Sequence, residues 1–248
     1  MTPKPQKTRL DLLLVNRGLA DTRNQAQAII MAGQVRSGDM VLTKAGQSVS
    51  DDIYVTVASR PKYVGRGGDK LASVIDQFAI DFTGAVIVDV GSSTGGFTDF
   101  ALQHGAIKSY CIDVGRGQLA YKLRQDPRVV VMEQTDIRNV ESLPEKANFI
   151  VGDVSFISVN KILVQCAKLL LHEGKIIILI KPQFEAGKAI ADRFGGVISD
   201  DTVRDEIISR VRTEVARDFE ILDEADSGVV GTEGNRERFF LLRPLDVK

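Results

Sequence analysis

Two periodicities alternate along most of this chain. Five apolar runs of strand length occupy residues 85–90 (AVIVDV), 108–113 (KSYCID), 128–132 (RVVVM), 147–154 (ANFIVGDV) and 175–181 (KIIILIK). Between and after them lie segments whose apolar residues recur every three or four positions: FTDFALQHG, GQLAYKLRQ, SVNKILVQCAKLLLHEG and SDDTVRDEIISRVRTEVARDF. The first pattern predicts strands and the second helices. Strand and helix in alternation imply a parallel sheet covered on both faces. Two further strands are predicted at 219–225 (FEILDEA) and 237–244 (ERFFLLRP), with only residues 226–236, including Gly228, Gly231 and Gly234, between them. A parallel crossover needs a dozen or more residues, so the last strand is expected to run antiparallel. The expectation is a seven-stranded α/β sheet whose final strand is reversed.

The first sixty residues read differently. Residues 1–8 are rich in Pro and Lys and are expected to be disordered. RLDLLLVNR (9–17) places Leu10, Leu13, Leu14 and the stem of Arg17 on one helical face, and Gly18 supplies a stop. Thr22 and Gln25 have capping-box spacing and open a second helix, TRNQAQAIIMA, with Ala26, Ile29 and Ile30 inward and Gly33 at its end. Short β segments follow at Val35, at Val41-Leu42 after a Ser37-Gly38-Asp39 turn, and at Ile53, Val55 and Val57. A small α+β domain at 1–60, a hinge-like linker at 61–68 and a large domain at 69–248 are therefore expected.

Composition narrows the class. Hydrophobic residues make up 44% and charged residues 26% of the 248, an ordinary globular balance. No apolar run approaches the roughly 20 residues that cross a bilayer, and the N-terminus has no apolar signal region, so a cytoplasmic protein is expected. Two cysteines, Cys111 and Cys166, and two histidines, His104 and His172, make neither a disulfide framework nor a metal cluster, and no metal is expected. Charge is uneven. Residues 1–70 carry 11 Lys+Arg against 6 Asp+Glu, a net of +5, while the rest carry 21 against 27, a net of −6. A basic head on an acidic body suggests that the head meets a polyanion.

The run RLDLLLVNRGLADTRNQAQAIIMAGQVRSG resembles the S4-type RNA-binding domain, first described in a ribosomal small-subunit protein. The resemblance implies a helix pair docked on structured RNA through basic side chains, in keeping with shape and phosphate recognition without aromatic stacking. Arg9, Arg17, Arg23, Arg36 and, beyond the head, Arg66 are the candidate RNA contacts.

In the body, the first strand ends at Val88-Asp89-Val90 and runs into Gly91-Ser92-Ser93-Thr94-Gly95-Gly96-Phe97. A glycine-rich turn at the carboxyl end of the first strand is where an open α/β sheet binds a nucleotide-like ligand. The spacing is not G-x-G-x-x-G, which counts against a pyrophosphate cofactor. Asp113 ends the second strand, where a carboxylate can accept from both ribose hydroxyls, and Asp136 follows the third, where it can accept from an adenine amino group. This set favours S-adenosylmethionine over NAD. The candidate cofactor residues are Asp89, Gly91, Ser92, Thr94, Gly95, Gly96, Phe97, Asp113, Asp136 and Asp153.

Four ionisable residues are expected at the same sheet edge: Lys70 in GRGGDKL, Asp153 closing the fourth strand, Lys181 closing the fifth, and Glu237 opening the reversed strand. A lysine ending a five-residue apolar strand is costly unless paired or functional; a Lys181–Asp153 ion pair without chemistry is the alternative. Lys, Asp, Lys and Glu in this order resemble the tetrad of FtsJ-like ribose 2′-O-methyltransferases. The runs YVGRGGDKL, VDVGSSTGGFTDF, DVSFIS, LIKPQFEAG, RFGGVI and GNRERFFL make the whole chain similar to the hemolysin-A (TlyA) family of rRNA methyltransferases. The resemblance implies a class-I, Rossmann-like methyltransferase domain fused to the S4-type domain, with Lys70, Asp153, Lys181 and Glu237 catalytic, S-adenosylmethionine as cofactor and a cytidine ribose of ribosomal RNA as substrate. Lys181 is the expected base, with burial and Lys70 lowering its proton affinity, Asp153 orienting it and Glu237 positioning Lys70 or the ribose. Asp201 and Arg204 stand where the family usually has Pro and His, and Gly65 where Ser is common. A non-catalytic RNA-binding assembly factor and a cytolysin are the alternative functions.

Overall fold

The computed structural model describes residues 7–57, 62–231 and 233–245. The chain divides into two compact units, Met1–Pro61 and Lys62–Lys248. Among the described residues no helix is long and apolar enough to cross a membrane.

The first unit contains β1 (Lys7–Arg9), α1 (Leu10–Asn16), α2 (Arg23–Met31), β2 (Val35–Ser37), β3 (Met40–Val41), β4 (Ser48–Ser50) and β5 (Thr56–Val57). Its core is built from the predicted helix faces, Leu10, Leu13, Leu14, Ala26, Ile29 and Ile30, packed on Val35, Leu42, Val49 and Val55. The capping box is closed: Thr22 Oγ1 accepts from the Gln25 amide at 3.2 Å, and Gln25 Oε1 accepts from the Asp21 amide at 2.9 Å. The expected disordered tail needs correction at its end. Lys7 and Thr8 belong to β1, which pairs antiparallel with β4; residues 1–6 of that expectation lie outside the described residues.

The second unit begins with α3 (Arg66–Ile75). This start corrects the expected linker at 61–68, because Arg66, Gly67 and Gly68 form the helix's first turn. Nor is the stretch before it loose. Tyr63 is buried against the Phe100 ring, with centroids 5.3 Å apart, and the Val64 amide donates to Asp99 Oδ2 at 2.8 Å. Gly68 leaves room for that ring, since a Cβ there would lie 2.3 Å from Tyr63. Arg60 and Pro61 of the expected hinge lie outside the described residues.

There follow β6 (Val86–Val90), α4 (Gly96–Gln103), β7 (Lys108–Ile112), α5 (Tyr121–Arg124), β8 (Val129–Met132), β9 (Ala147–Gly152), α6 (Asn160–Leu169), β10 (Leu170–Ile180), α7 (Pro182–Glu185), α8 (Lys188–Arg193), α9 (Asp201–Val215), β11 (Phe219–Asp226) and β12 (Arg238–Pro244). The sheet order is β11-β12-β10-β9-β6-β7-β8. The inner strands pair in parallel, and β12 is antiparallel to both β10 and β11. This is the class-I methyltransferase sheet with its last strand reversed. Period-two alternation splits β10 between two cores: Ile176, Ile178 and Ile180 face one layer, Ile177 and Leu179 the other. Both faces are covered, which is why the strand reads as an unbroken apolar run. Two helix expectations shrink. GQLAYKLRQ is helical only at Tyr121–Arg124, and Leu170–Gly174, expected to end a helix, lead into β10 with a register irregularity before Lys175.

Candidate active site

At the carboxyl edge of the sheet the second unit encloses a cavity of about 440 Å³, within the range of small-molecule sites. Its walls come from α3, the loop after β6, the segments after β9 and β10, and the turn into β12. The antiparallel direction of β12 brings Glu237, just before its first residue, to the edge where β9 and β10 end. Lys70, Asp153, Lys181 and Glu237 all line the cavity.

They form one chain of opposite charges. Lys70 Nζ lies 2.6 Å from Glu237 Oε2 and 3.7 Å from Asp153 Oδ2, and Lys181 Nζ lies 2.7 Å from Asp153 Oδ1. Lys181 also donates to Ser155 Oγ at 2.8 Å, and its Nζ stands 5.7 Å from the centroid of the Phe184 ring. The side chains of Lys70 and Glu237 are 8% and 2% exposed, so this pair is out of water. Burial pushes the Glu237 carboxyl above its ordinary range, while Lys70 pulls the other way. Asp153 lies between the two lysine nitrogens and in contact with both. The charge touching Lys181 is thus the carboxylate of Asp153, the residue expected from the sequence to orient it.

The glycine loop is shaped by conformation as much as by contact. Gly91 has φ of 76°, and a Cβ there would lie 2.9 Å from the Asp153 carbonyl oxygen; only glycine lets the loop and the β9 terminus come this close. Of the predicted cofactor residues, Asp89, Gly91, Ser92, Thr94, Gly96, Phe97 and Asp153 line the cavity. Gly95 does not; at φ of 92° it turns the chain into α4, with Leu119 and Leu123 against its Cα. Asp89 is 1% exposed and anchors α4: its Oδ2 accepts from Thr98 N at 3.0 Å and Thr98 Oγ1 at 2.7 Å. Burial raises its carboxyl to about 7.

Asp113 and Asp136 are not among the lining residues. Asp113 holds the two loops together, accepting from Ser93 N and Gly115 N, each at 2.7 Å. Asp136 caps a short 3-10 turn and pairs with Arg138. Sequence reasoning missed Ser155, Phe156, Gln183, Phe184 and Glu233 in the lining. The signal for Ser155 and Phe156 was at hand in the DVSFIS run. It also missed Glu133, whose carboxylate accepts from the amides of Gly117, Gln118 and Leu119 and pairs with Arg124. Those backbone bonds, from Gly117 first, hold it down at about 2.

The candidate RNA arginines are used inside the first unit to different extents. Asp11, fully buried, accepts from Arg9 Nη2 at 2.9 Å, Arg23 Nε at 3.0 Å and Gln27 Nε2 at 3.0 Å. The Arg9 hydrogen bonds above all hold the Asp11 carboxyl well below the usual carboxylate range. Arg17 donates to the carbonyls of Asp51 and Ile53. Arg36 is exposed on β2. In the second unit Arg66 lines the cavity and donates to the Val230 carbonyl at 3.1 Å. Arg204, at the position where the family usually has His, is interior: it is 3% exposed, donates to the Arg236 carbonyl at 3.2 Å and pairs with Asp226. Asp201 pairs with Arg236.

Both units resemble known proteins. Residues 63–243 match the FtsJ-like methyltransferase family, and residues 8–52 match the S4 domain. The 16S/23S rRNA (cytidine-2′-O)-methyltransferase TlyA of Mycobacterium tuberculosis is 39% identical over 247 residues, covering 96% of this chain and 90% of that protein. Hemolysin A of Brachyspira hyodysenteriae is 37% identical over 233 residues, covering 92% and 97%. The chain belongs to the TlyA (hemolysin A) family of FtsJ-like methyltransferases. A Bacillus subtilis member, provisionally named rRNA methyltransferase YqxC, is 43% identical over 250 residues, covering 98% of this chain and 86% of its own. A solved structure from Streptococcus thermophilus, provisionally called a hemolysin, superposes with TM-score 0.73 at 36% identity over 98% of this chain and 90% of its own. The N-methyltransferase NodS of Bradyrhizobium japonicum shares the fold at 16% identity and TM-score 0.50, over 73% of this chain and 95% of its own.

Proposed function

We propose that this TlyA-family protein transfers a methyl group from S-adenosylmethionine to a ribose 2′-hydroxyl of ribosomal RNA, at cytidine. The observation that carries the reading is the closed chain Glu237–Lys70–Asp153–Lys181, ending in an amine that opens on the cavity beside the glycine loop. The relatives named for cytidine-2′-O methylation support the substrate, and the S4 domain supports an RNA partner. A ribosomal substrate supports a cytoplasmic site of action.

The cavity suits the cofactor. The close approach of Gly91 to Asp153 makes a backbone cradle that a Cβ would fill, and carboxylates from Asp89, Asp153 and Glu237 face a donor that carries positive charge. When bound, S-adenosylmethionine supplies an activated methyl on a sulfonium. Gly91 to Phe97 would hold it from one side and Asp153 from the other. Asp113 would take the ribose hydroxyls and Asp136 the adenine edge; each carboxylate oxygen of Asp113 keeps a lone pair beyond its backbone bond.

The residues then act by alignment and proton removal. Lys181, as the neutral amine, accepts the proton of the 2′-hydroxyl. Asp153 holds the amine in place, and Lys70 holds Asp153 and Glu237. Phe156 is largely exposed and its ring lies 4.7 Å from that of Phe184; the pair offers a face to a base drawn out of its stack. Incubation of ribosomal subunits and free rRNA with methyl-labelled cofactor tests the proposal. Alkali-resistant 2′-O-methyl at cytidine is expected. No label, or label on a base, overturns it.

A further inference from the structure

We propose that Ser155 is a positioning residue for this transfer: its hydroxyl accepts an N–H of the Lys181 amine while the Asp153 carboxylate draws the same nitrogen from another side, so that the lone pair of the neutral amine is turned toward the ribose hydroxyl. The inference rests on the methyl-transfer reading above and names a residue outside the four-residue set.

The nitrogen has one hydrogen-bond acceptor, Ser155, and one ion-pair partner, Asp153. Lys181 Nζ lies 2.7 Å from Asp153 Oδ1 and 2.8 Å from Ser155 Oγ, and both residues line the cavity with it. In the ammonium form one N–H points away from both. Once that proton has left, the same direction holds the lone pair. With the Asp153 ion pair alone, the amine turns about its Cε–Nζ bond and the lone pair visits other directions. The directional bond to Ser155 restricts that rotation, so less entropy is lost when the substrate arrives.

The backbone is shaped to keep Ser155 in this place. The residue after it, Phe156, has φ of 63°, a left-handed conformation that bulky side chains rarely adopt and that persists where the surroundings enforce it. The far end of the same loop is fixed as well. Glu185, on the short helix that follows Lys181, is 7% exposed and accepts from the Val159 amide at 2.8 Å, and Arg210 donates to its carbonyl. The loop 153–159 is therefore tied to the segment 181–185 at Asp153, Ser155, Phe156 and Val159.

The step balances. The ribose O–H bond breaks and its proton goes to the Lys181 lone pair. The freed oxygen pair forms the O–CH₃ bond as the S–CH₃ bond breaks, and the sulfonium leaves as a neutral thioether. Ser155 gains and loses nothing; it orients.

The test is steady-state methylation of the RNA by the full chain, with Ser155→Ala and Ser155→Thr beside wild type. Ser155→Ala is expected to lower kcat about tenfold, the factor carried by one hydrogen bond to a charged or reacting group, with KM for RNA and Kd for S-adenosylhomocysteine unchanged. Ser155 is exposed, so the extra methyl of Thr fits, and Ser155→Thr is expected to restore most of the rate. An unchanged kcat in Ser155→Ala, a cofactor Kd that weakens in step with kcat, or a Thr variant as slow as the Ala variant would each overturn the inference. If wild type itself moved no methyl to rRNA, the proposed function would fail on its own account. The contact is then read by competitive acetylation of lysines with mass spectrometry. Faster labelling of Lys181 in Ser155→Ala supports the pairing, and unchanged labelling overturns it.

Discussion

Removing one partner of the Lys70–Glu237 pair and then both separates what the pair does for stability from what it does for chemistry. The two groups are 2.6 Å apart with 8% and 2% of their side chains exposed, so solvent screens the interaction little. Breaking a buried pair by deleting one member costs about 3–5 kcal/mol, whereas replacing both by apolar residues of similar volume is close to neutral. The two single variants are not equivalent. Lys70→Met strands Glu237, which among the described residues has no second cation in contact, and belongs at the upper end. Glu237→Met leaves Lys70 with Asp153 at 3.7 Å and belongs at the lower end. The double variant should return to within about 1 kcal/mol of wild type, a coupling of several kcal/mol between sites in contact. The chain has no Trp, so urea unfolding followed by far-UV circular dichroism is the suitable assay. All three variants should lose methyl transfer. Acidity gives a second axis. Burial raises the Glu237 carboxyl, so the stability it contributes is present below the ordinary glutamate range and is lost as pH rises through the raised value. Without Lys70 that loss grows, so Lys70→Met should be worse at pH 8 than at pH 5. A double variant as unstable as the two single losses combined would refute the view of the pair as a closed ionic unit.

Three further outcomes follow from single residues. Asp89, raised by burial from 3.8 to about 7, adds stability that is complete below 3.8 and lost as pH rises through 7; relative to Asp89→Asn, wild type should lose roughly 2–3 kcal/mol between pH 5 and 7.5, at about 1.36 kcal/mol per pH unit, and parallel stability curves would contradict this. Gly91→Ala puts a Cβ 2.9 Å from the Asp153 carbonyl oxygen at φ of 76°, so calorimetry should show S-adenosylhomocysteine bound at least about tenfold more weakly, with a stability loss of roughly 1–3 kcal/mol. Asp11→Asn removes a buried carboxylate that organises Arg9, Arg23 and Gln27; thermal unfolding should show the first unit weakened by about 1–3 kcal/mol, and filter binding should show RNA affinity lost with cofactor affinity intact.

The parts of the fold that rest on local pattern were legible in the sequence. The unbroken run Ile176–Ile180 could only be a strand buried on both sides, and eleven residues between the last two strands were too few for a parallel return. Those two facts alone bring Lys181 and Glu237 to one edge, because a reversed strand begins where its neighbours end. What escaped the sequence depends on partners far along the chain. Asp11 sits in a leucine-rich helix with no sign that it is fully buried; its partners Arg23 and Gln27 come from the next helix, and they turn two candidate RNA arginines partly to structural work. Asp113 was correctly placed at the end of a strand, but the backbone amides that occupy it belong to loops whose shape no periodicity encodes. Arg204 read in the sequence only as a departure from the family's usual His, and it is an interior brace on the chain just before Glu237. Ser155 was visible in the DVSFIS run, but its role shows only once a lysine from another strand is seen to touch both it and Asp153.

The central claim is that the Lys181 amine takes the proton from the substrate hydroxyl while the cofactor is held by other groups. Single-turnover methyl transfer to ribosomal RNA by Lys181→Ala, measured alongside calorimetric binding of S-adenosylhomocysteine to the same preparation, tests it most directly. The account predicts a rate lower by about 10²–10⁴-fold, the range that a positioned base contributes, with cofactor affinity within about twofold of wild type. A rate close to wild type, or a loss of cofactor binding as large as the loss of rate, would contradict it.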